Sequence, residues 1–277
     1  MADDGLRPLR EVIANFGLSP KKNLGQNFLF DLNLTRRIAR AAAPLAGYTI
    51  VEVGPGPGSL TRALLMEGAT SIIAIERDQR AIGALDEISA AYPGKLQVIE
   101  GDALIIDWDS LVKHPAKVVA NLPYNIATAL LTGWLASGDW PPWFNSLTLM
   151  FQKEVAERIV ASSGSKDYGR LSVLCQHLCE VHKFFDVNRS AFTPPPKVTS
   201  SLVQLVPRAK PSPPCAIVAL ERTTKAAFGQ RRKMLRSSLK SLGENPETLL
   251  ASANIDPQLR AEQLPVADFA RLAALLN

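Results

Sequence analysis

Short apolar runs alternate with longer amphipathic stretches along the first two thirds of the chain. Four runs are rich in Ile, Val, Leu or Ala and lie at residues 49–51, 71–75, 96–99 and 117–120. Runs of this length and composition are typical of strands buried on both faces of a parallel sheet. The amphipathic stretches predict helices at 33–43, 59–67, 79–91, 126–135, 153–162 and 171–179. The alternation predicts an α/β fold with a doubly wound sheet.

Each predicted strand is followed by an acid or an amide. Glu52 and Glu76 directly follow the first two runs, Asp102 comes shortly after the third, and Asn121 directly follows the fourth. Open α/β sheets bind their ligands beyond the carboxyl ends of their strands. We therefore expect these four side chains to meet in one binding site.

A glycine loop joins the first predicted strand to the helix that begins at residue 59. Its spacing, Gly54-x-Gly56-x-Gly58, departs from the dinucleotide pattern G-x-G-x-x-G and lacks the Lys-Ser/Thr ending of a phosphate-binding loop. Glu52, directly before this loop, would repel a phosphate but suits the amino-acid portion of S-adenosylmethionine. Pro57 leaves all three glycines intact. The loop therefore indicates a methyl donor, S-adenosylmethionine, as the cofactor.

The stretch Asn121-Leu122-Pro123-Tyr124 has the groups that chemistry on an exocyclic base amine requires. The Asn121 oxygen and the Leu122 carbonyl, the latter held by the rigid backbone of Pro123, can each accept an N–H bond from an adenine N6 amine. Tyr124 can stack on the ring. A strand-end turn alone would also use Asn and Pro, but the acids and the glycine loop upstream favour a base-modifying site.

With these motifs the chain resembles the S-adenosylmethionine-dependent ribosomal RNA adenine dimethyltransferases, and within them the bacterial branch that acts on small-subunit rRNA. This family implies a Rossmann-like methyltransferase sheet. The likeness extends to blocks at 21–29 (KKNLGQNFL), 150–159 (MFQKEVAERI), 167–173 (DYGRLSV), 192–198 (FTPPPKV) and 228–233 (FGQRRK).

The resemblance implies a role for each site residue. Asn27 and Leu29 border the methionine end of the cofactor, Gly54 lies beneath it, and Glu76 holds the ribose. Asp102 reads the adenine of the cofactor, and Asn121 touches both the cofactor and the target amine. Phe192 is the second aromatic wall, opposite Tyr124. The cofactor-binding set is Asn27, Leu29, Glu52, Gly54, Gly56, Gly58, Glu76, Asp102 and Asn121, and the catalytic set is Asn121, Leu122, Pro123, Tyr124 and Phe192.

The same resemblance implies the reaction and the partner. Methyl groups pass to N6 of two adjacent adenosines in a hairpin loop near the 3′ end of 16S rRNA, within the immature 30S subunit. The product is N6,N6-dimethyladenosine, and the step contributes to maturation of the small ribosomal subunit.

A Pro-rich stretch at 207–214 ends the α/β pattern, and helices are predicted after it. Residues 208–277 have eleven Lys or Arg and six Asp or Glu, so they contain the whole net charge of +5. We expect a catalytic domain at 1–207 and a small, all-α, RNA-binding domain at 208–277. Its predicted RNA-binding residues are Arg231, Arg232, Lys233, Arg236 and Lys240, and helical spacing predicts that Arg232, Arg236 and Lys240 share one face.

Other features narrow the class of protein. Cys175, Cys179 and Cys215 do not have the spacing of a metal site, so no metal is expected. No apolar stretch has membrane-spanning length, and the acidic start Met1-Ala2-Asp3-Asp4 is unlike a targeting peptide. We expect a cytoplasmic monomer without a membrane partner.

Three alternatives share these motifs. Macrolide-resistance methyltransferases modify adenine in large-subunit rRNA, although the 192–198 and 228–233 blocks favour the small-subunit branch. A second possibility is a protein that mainly binds immature subunits as an assembly factor. An N6-adenine DNA methyltransferase is disfavoured, because such enzymes have Asp in place of Asn121.

Overall fold

The computed structural model describes residues 4–21, 24–136 and 140–276. Met1–Asp3 and Lys22–Asn23, which belong to stretches discussed above, lie outside the described residues. The strands are β1 (Phe28–Leu29), β2 (Thr49–Val53), β3 (Ser71–Glu76), β4 (Leu96–Glu100), β5 (Ala116–Ala120), β6 (Ser146–Gln152), β7 (Cys179–Val187), β8 (Phe192–Thr193) and β9 (Ser200–Pro207).

The helices follow the positions that the amphipathic stretches predict. They are α1 (Leu9–Asn15), α2 (Leu32–Ala41), α3 (Ser59–Met66), α4 (Gln79–Ala91), α5 (Trp108–Leu111), α6 (Tyr124–Ala136), α7 (Lys153–Val160), α8 (Arg170–Leu178), α9 (Ile217–Gly229), α10 (Leu235–Ser238), α11 (Pro246–Ser252) and α12 (Val266–Ala274). The six predicted helices are confirmed to within two residues at each end. Side-chain caps help to set these ends: Asp31 caps α2 and Asp78 caps α4.

Seven strands form one sheet within the described residues, in the order β4-β3-β2-β5-β6-β9-β7. The pairs β2–β3, β3–β4, β2–β5 and β5–β6 are parallel, and Val51 lies opposite both Ile73 and Val118. The strand order reverses at β2, which is where doubly wound sheets form ligand sites. The predicted α/β fold and the four predicted strands are confirmed.

The glycine loop turns the chain sharply from β2 into α3. Gly54, Gly56 and Gly58 have φ of 69°, 55° and 83°, which L side chains rarely adopt. A Cβ on Gly58 would lie 2.2 Å from Ile88 Cδ1, so the turn also lies directly against α4. Glycine is therefore required at residue 58 both by backbone conformation and by packing.

The described chain divides into two compact units. The first contains the residues up to Gly133, Trp143–Lys153 and Lys183–Gln204; the second contains Trp134–Pro142, Glu154–His182 and the residues from Leu205 onward. In this division residues 154–182 join the tail helices. The predicted functional boundary between residues 207 and 208 stays a prediction.

Each unit has its own apolar core. The core of the first includes Ile50, Leu64 and Ile72 from β2, α3 and β3. In the second, the Tyr168 hydroxyl donates to the Leu264 carbonyl at 2.9 Å, and the Phe228 ring stacks on Phe269 with centroids 5.4 Å apart. No helix among the described residues is both long enough and apolar enough to cross a membrane.

The basic segment of the tail does not form one helix. Helix α9 ends at Gly229, and Arg231, Arg232 and Lys233 lie in a turn before α10. The chain leaves the helix because Leu235 enters the core, where its N–H donates to the Leu259 carbonyl at 2.8 Å. The prediction that Arg232, Arg236 and Lys240 share one helical face is therefore wrong. All five predicted RNA-binding side chains are nevertheless exposed.

The glycine loop gives a stability prediction. We expect Gly58→Ala to lower the free energy of unfolding by about 2–4 kcal/mol, the sum of a left-handed backbone and a steric clash. Gly68→Ala is the matched control, because Gly68 has φ 99° but a Cβ there meets nothing within 4 Å. It should cost only about 1 kcal/mol. Urea denaturation measures both, and equal losses would contradict the packing argument.

Candidate active site

A cavity of about 110 Å³ lies at the carboxyl ends of the parallel strands, within the first unit. Its walls bring together most of the predicted site residues, which come from five separate segments of the chain. The selected residues that line it are Asn27, Leu29, Glu52, Gly54, Gly56, Glu76, Asp102, Asn121, Leu122, Pro123 and Tyr124. Gly58 and Phe192 are not among its lining residues.

Glu52 is an almost completely buried acid at the end of β2. Its side chain is 2% exposed, and the Thr61 hydroxyl donates to Oε2 at 2.7 Å. Burial raises the pKa of Glu52 to about 8, the bond from Thr61 acts in the opposite direction, and the nearby Glu76 charge raises it further. A cationic group in the cavity would favour the ionised form of this carboxyl.

Glu76 connects the end of β3 to the glycine loop. Its Oε2 accepts from the Gly56 N–H at 2.9 Å, and its Oε1 accepts from the N–H groups of Arg77 and Asp78, both at 2.8 Å. Burial raises the pKa of Glu76, and the three backbone bonds oppose this shift. Because each carboxylate oxygen can accept more than one bond, Glu76 can still receive hydroxyl donors from a ligand.

Asp102 lies where the cavity is more open. Its Oδ1 accepts from the Leu104 N–H at 3.0 Å, and its Oδ2 pairs with Arg77 Nη1 at 3.0 Å. Arg77 also lines the cavity. Arg77 was not among the predicted site residues, although its position directly after Glu76 was a signal for it.

Asn121 is oriented by the segment that precedes β1. Its Nδ2 donates to the Asn27 carbonyl at 3.2 Å, and Asn27 Nδ2 in turn donates to the Gly25 carbonyl at 3.3 Å. Because the amide nitrogen of Asn121 is used in this way, its Oδ1 is the end that can accept a bond from a ligand.

Tyr124 begins α6, and its side chain is held at the hydroxyl. The Tyr124 and Ser200 hydroxyl oxygens lie 2.5 Å apart, and Ser200 is completely buried at the start of β9. Burial raises the pKa of Tyr124, so its hydroxyl is neutral at physiological pH. Ser200 was not selected from the sequence, which has no local pattern that links it to Tyr124.

Phe192 is not among the residues that line the cavity in this structure, and its predicted role as a second aromatic wall opposite Tyr124 stays a prediction. Its side chain is 1% exposed and belongs to the core of the first unit. Strand β8 pairs with β1 so that Phe192 lies opposite Leu29, which does line the cavity. Burial of this apolar ring stabilises the folded protein. Its pairing with Leu29 places Phe192 next to the cavity wall, on the core side.

The cavity fits S-adenosylmethionine on chemical grounds. Its acids can accept hydroxyl and amine donors, and Gly54 and Gly56 form part of its wall with backbone alone. Ser59, which lines the cavity at the start of α3, adds a buried hydroxyl without a hydrogen-bond partner in the described part of the chain. Among the described residues no cluster of His, Cys, Asp or Glu could hold a metal ion.

The raised pKa of Glu52 predicts how stability depends on pH. Between the ordinary Glu value of 4.5 and about 8, the unfolded chain is ionised at Glu52 while the folded protein holds the proton. Stability should therefore fall as pH rises through this window, by at most about 1.4 kcal/mol per pH unit from this group. Glu52→Gln should remove that loss, so its advantage over wild type should grow from pH 5 to pH 8 in urea denaturation. Parallel curves for the two proteins would show that Glu52 ionises normally.

Comparison with known proteins places this site in a family. The family model described as "Ribosomal RNA adenine dimethylase" matches residues 17–277. A ribosomal RNA small subunit methyltransferase A from Methylobacterium radiotolerans is 64% identical over 274 residues, covering 98% of this chain and 94% of that protein. The protein of the same name from Azorhizobium caulinodans is 63% identical over 273 residues, with the same coverage.

Solved structures agree with these sequences. A dimethyladenosine transferase from Plasmodium falciparum superposes with a TM-score of 0.74 at 28% identity, covering 88% of this chain and 95% of that one. The 23S rRNA methyltransferase ErmE gives a TM-score of 0.68 at 27% identity, covering 89% and 98%. The predicted Rossmann-like methyltransferase fold and the predicted class of enzyme are confirmed, and the chain belongs to the ribosomal RNA adenine dimethylase family.

Proposed function

We propose that this protein transfers methyl groups from S-adenosylmethionine to N6 of two adjacent adenosines in a hairpin loop near the 3′ end of 16S rRNA. The observation that carries the proposal is the amide of Asn121, which lines the cavity with Tyr124 and whose nitrogen donates to the Asn27 carbonyl at 3.2 Å, so that its oxygen is left to accept from a ligand. The curated relatives are small-subunit methyltransferases by name, which supports this choice of substrate.

The cofactor side of the cavity is assigned to its acids and glycines. S-adenosylmethionine supplies a methyl group on a sulfonium centre, which a neutral amine can attack directly. Glu52 receives the ammonium group of the methionine portion, which the charge of its carboxylate stabilises. Glu76 accepts the ribose hydroxyls, and Asp102 accepts from the adenine amine. Asn27 and Leu29 border the methionine end, and Gly54, Gly56 and Gly58 let the backbone approach closely.

The target side is assigned to Asn121, Leu122, Pro123 and Tyr124. The Asn121 oxygen and the Leu122 carbonyl each accept one N–H of the target amine, which directs its lone pair outward. A neutral amide does this without the cost of desolvating a carboxylate. Tyr124 stacks on the base and fixes its plane. No strong base is required, because transfer disperses an existing positive charge and the proton leaves to water afterwards; orientation supplies most of the rate.

The RNA partner is the small-subunit rRNA within the immature 30S subunit, which the protein binds as a monomer. Domain 208–277 contributes the exposed cations Arg231, Arg232, Lys233, Arg236 and Lys240, which contact phosphates. The target bases must leave their stack to reach the cavity, so the substrate is an unpaired loop. The step belongs to maturation of the small subunit.

Large-subunit rRNA is the second candidate substrate. The likeness to ErmE, a 23S rRNA methyltransferase, favours it, since that structure covers 89% of this chain. Assays on both subunits separate the two candidates.

The decisive test is methyl incorporation into unmethylated small subunits, followed by nucleoside analysis. We expect N6,N6-dimethyladenosine from wild type, and a loss of about 100-fold or more in rate for Asn121→Ala, because one oriented acceptor at the reacting amine is removed. Calorimetry with S-adenosylhomocysteine should show that the variant still binds the cofactor product. Incorporation only into large subunits would replace the proposed substrate, and an active Asn121→Ala variant would remove Asn121 from catalysis.

The tail cations give a separate binding prediction. We expect the double substitution Arg232→Ala and Lys233→Ala to weaken binding to small-subunit rRNA and to make the slope of log affinity against log salt shallower by about two. Lys95→Ala with Lys113→Ala is the control with the same change in charge, at exposed residues of the catalytic domain. A similar change in slope for both double variants would mean that net charge alone, and not contact with phosphate, sets the affinity.

A further inference from the structure

The hydroxyl of Tyr124 makes a specific contact with a residue that lies 76 positions away along the chain. Tyr124 Oη and Ser200 Oγ are 2.5 Å apart, and the two residues begin α6 and β9 respectively. Ser200 is 0% exposed, so its hydroxyl has no access to water. The two hydroxyl groups are therefore within hydrogen-bond distance, with Ser200 buried and Tyr124 half-buried.

This contact holds the ring of Tyr124 at both ends. The Cβ end is fixed by the first turn of α6, and the hydroxyl end is fixed by Ser200. A bond at Oη limits χ1 and so fixes the direction of the long axis of the ring, while rotation about χ2 is limited by the preference of the phenolic O–H for the ring plane. The cavity-facing surface of the ring is therefore a rigid platform.

We propose that Ser200 is a positioning residue that holds the Tyr124 ring in place and, through it, the target adenine, with its largest effect on the second methyl transfer. The inference rests on the proposed function of Tyr124 as the stacking surface. Ser200 contacts neither cofactor nor base in this account and acts only through Tyr124.

The second transfer depends more on stacking because the amine has fewer N–H groups. The unmodified N6 amine has two, one for each of the acceptors Asn121 Oδ1 and the Leu122 carbonyl. After the first transfer it has one, so a single hydrogen bond remains and the aromatic platform must supply the rest of the orientation. In this step the nitrogen lone pair forms the new N–CH₃ bond, the S–CH₃ bond breaks with its electron pair staying on sulfur, and the remaining N–H proton leaves to water.

The neighbouring residue provides a matched control. Ser201 is also 0% exposed and also begins β9, but its hydroxyl donates to Asp186 Oδ1 at 2.8 Å. Successive side chains of a strand point to opposite faces, so Ser201→Ala removes a hydroxyl bond from the adjacent buried serine without touching Tyr124.

The experiment follows the rates of both transfers under single-turnover conditions on unmethylated small subunits, with N6-methyladenosine and N6,N6-dimethyladenosine quantified in each sample. The variants are Ser200→Ala, Ser200→Thr, Tyr124→Phe, the double variant Ser200→Ala with Tyr124→Phe, and Ser201→Ala.

We expect Ser200→Ala to slow the second transfer about tenfold and the first about threefold or less, so that monomethyl product accumulates. Ser200→Thr, which keeps the hydroxyl, should restore most of the dimethyl product. Tyr124→Phe should behave like Ser200→Ala, and the double variant should be no worse than either single one, since both remove the same bond. Ser201→Ala should leave the ratio of the two products unchanged.

Several results would overturn the inference. They are an unchanged product ratio in Ser200→Ala, the same ratio shift in Ser201→Ala, or additive effects of Ser200→Ala and Tyr124→Phe. If Ser200→Ala does not fold, Tyr124→Phe alone tests the inference, because this variant keeps the ring and its packing.

Failure of the proposed function gives a different result: wild type then makes no dimethyladenosine on small subunits. A wild type that makes it, beside a Ser200→Ala variant with the wild-type product ratio, leaves the function intact and rejects only the role of Ser200.

Discussion

The Glu76 carboxylate accepts three backbone N–H bonds, from Gly56, Arg77 and Asp78, and the cofactor side of the cavity depends on these bonds. One oxygen holds the middle of the glycine loop and the other holds the turn that leads into α4. A carboxylate buried without such donors would be too costly to keep ionised. The loop, the end of β3 and the start of α4 therefore have fixed relative positions, and the acid that fixes them is also exposed to the ligand.

The distribution of charge in the cavity follows from the same arrangement. Glu52 and Glu76 are both buried; burial raises the pKa of each, and the charge of Glu76 further raises the pKa of Glu52. Arg77 lies on the cavity wall but is paired with Asp102. The inner part of the cavity is thus rich in acceptors, and a ligand that brings positive charge and several hydroxyl and amine donors relieves the desolvation of these acids. Such a site selects for the cationic cofactor over neutral nucleosides.

Much of this arrangement could be predicted from sequence because it follows from local patterns. Apolar runs that end in acids identify the strands and their functional ends, and three glycines between a strand and a helix identify the loop. The side-chain environment of Phe192 could not be predicted, because an aromatic residue before three prolines can face either a cavity or a core. The pairing of β8 with β1 places Phe192 opposite Leu29 in the core, and this pairing joins residues that are far apart in sequence.

The same limit applies to the basic tail and to Ser200. Helical spacing predicted Arg232, Arg236 and Lys240 on one face, but α9 ends at Gly229 and Arg232 lies in the turn before α10, where Leu235 is buried. Tertiary packing overrides local periodicity in such cases. The contact between Ser200 and Tyr124 has no signature in either local stretch, since it exists only once α6 and β9 have been brought together by the sheet.

The bond between Asn121 and Asn27 gives the N-terminal segment a role beyond forming a wall. The two ends of an asparagine amide are nearly identical in shape and differ only in whether they donate or accept. The Asn27 carbonyl removes this ambiguity by accepting from one end. Were that carbonyl withdrawn, the amide would be free to rotate by half a turn and present N–H groups to the amine it must accept from. In the proposed reaction, a displacement of Asn27 would therefore turn the acceptor that Asn121 offers into a donor, with the sheet and the acids of the cavity left in place.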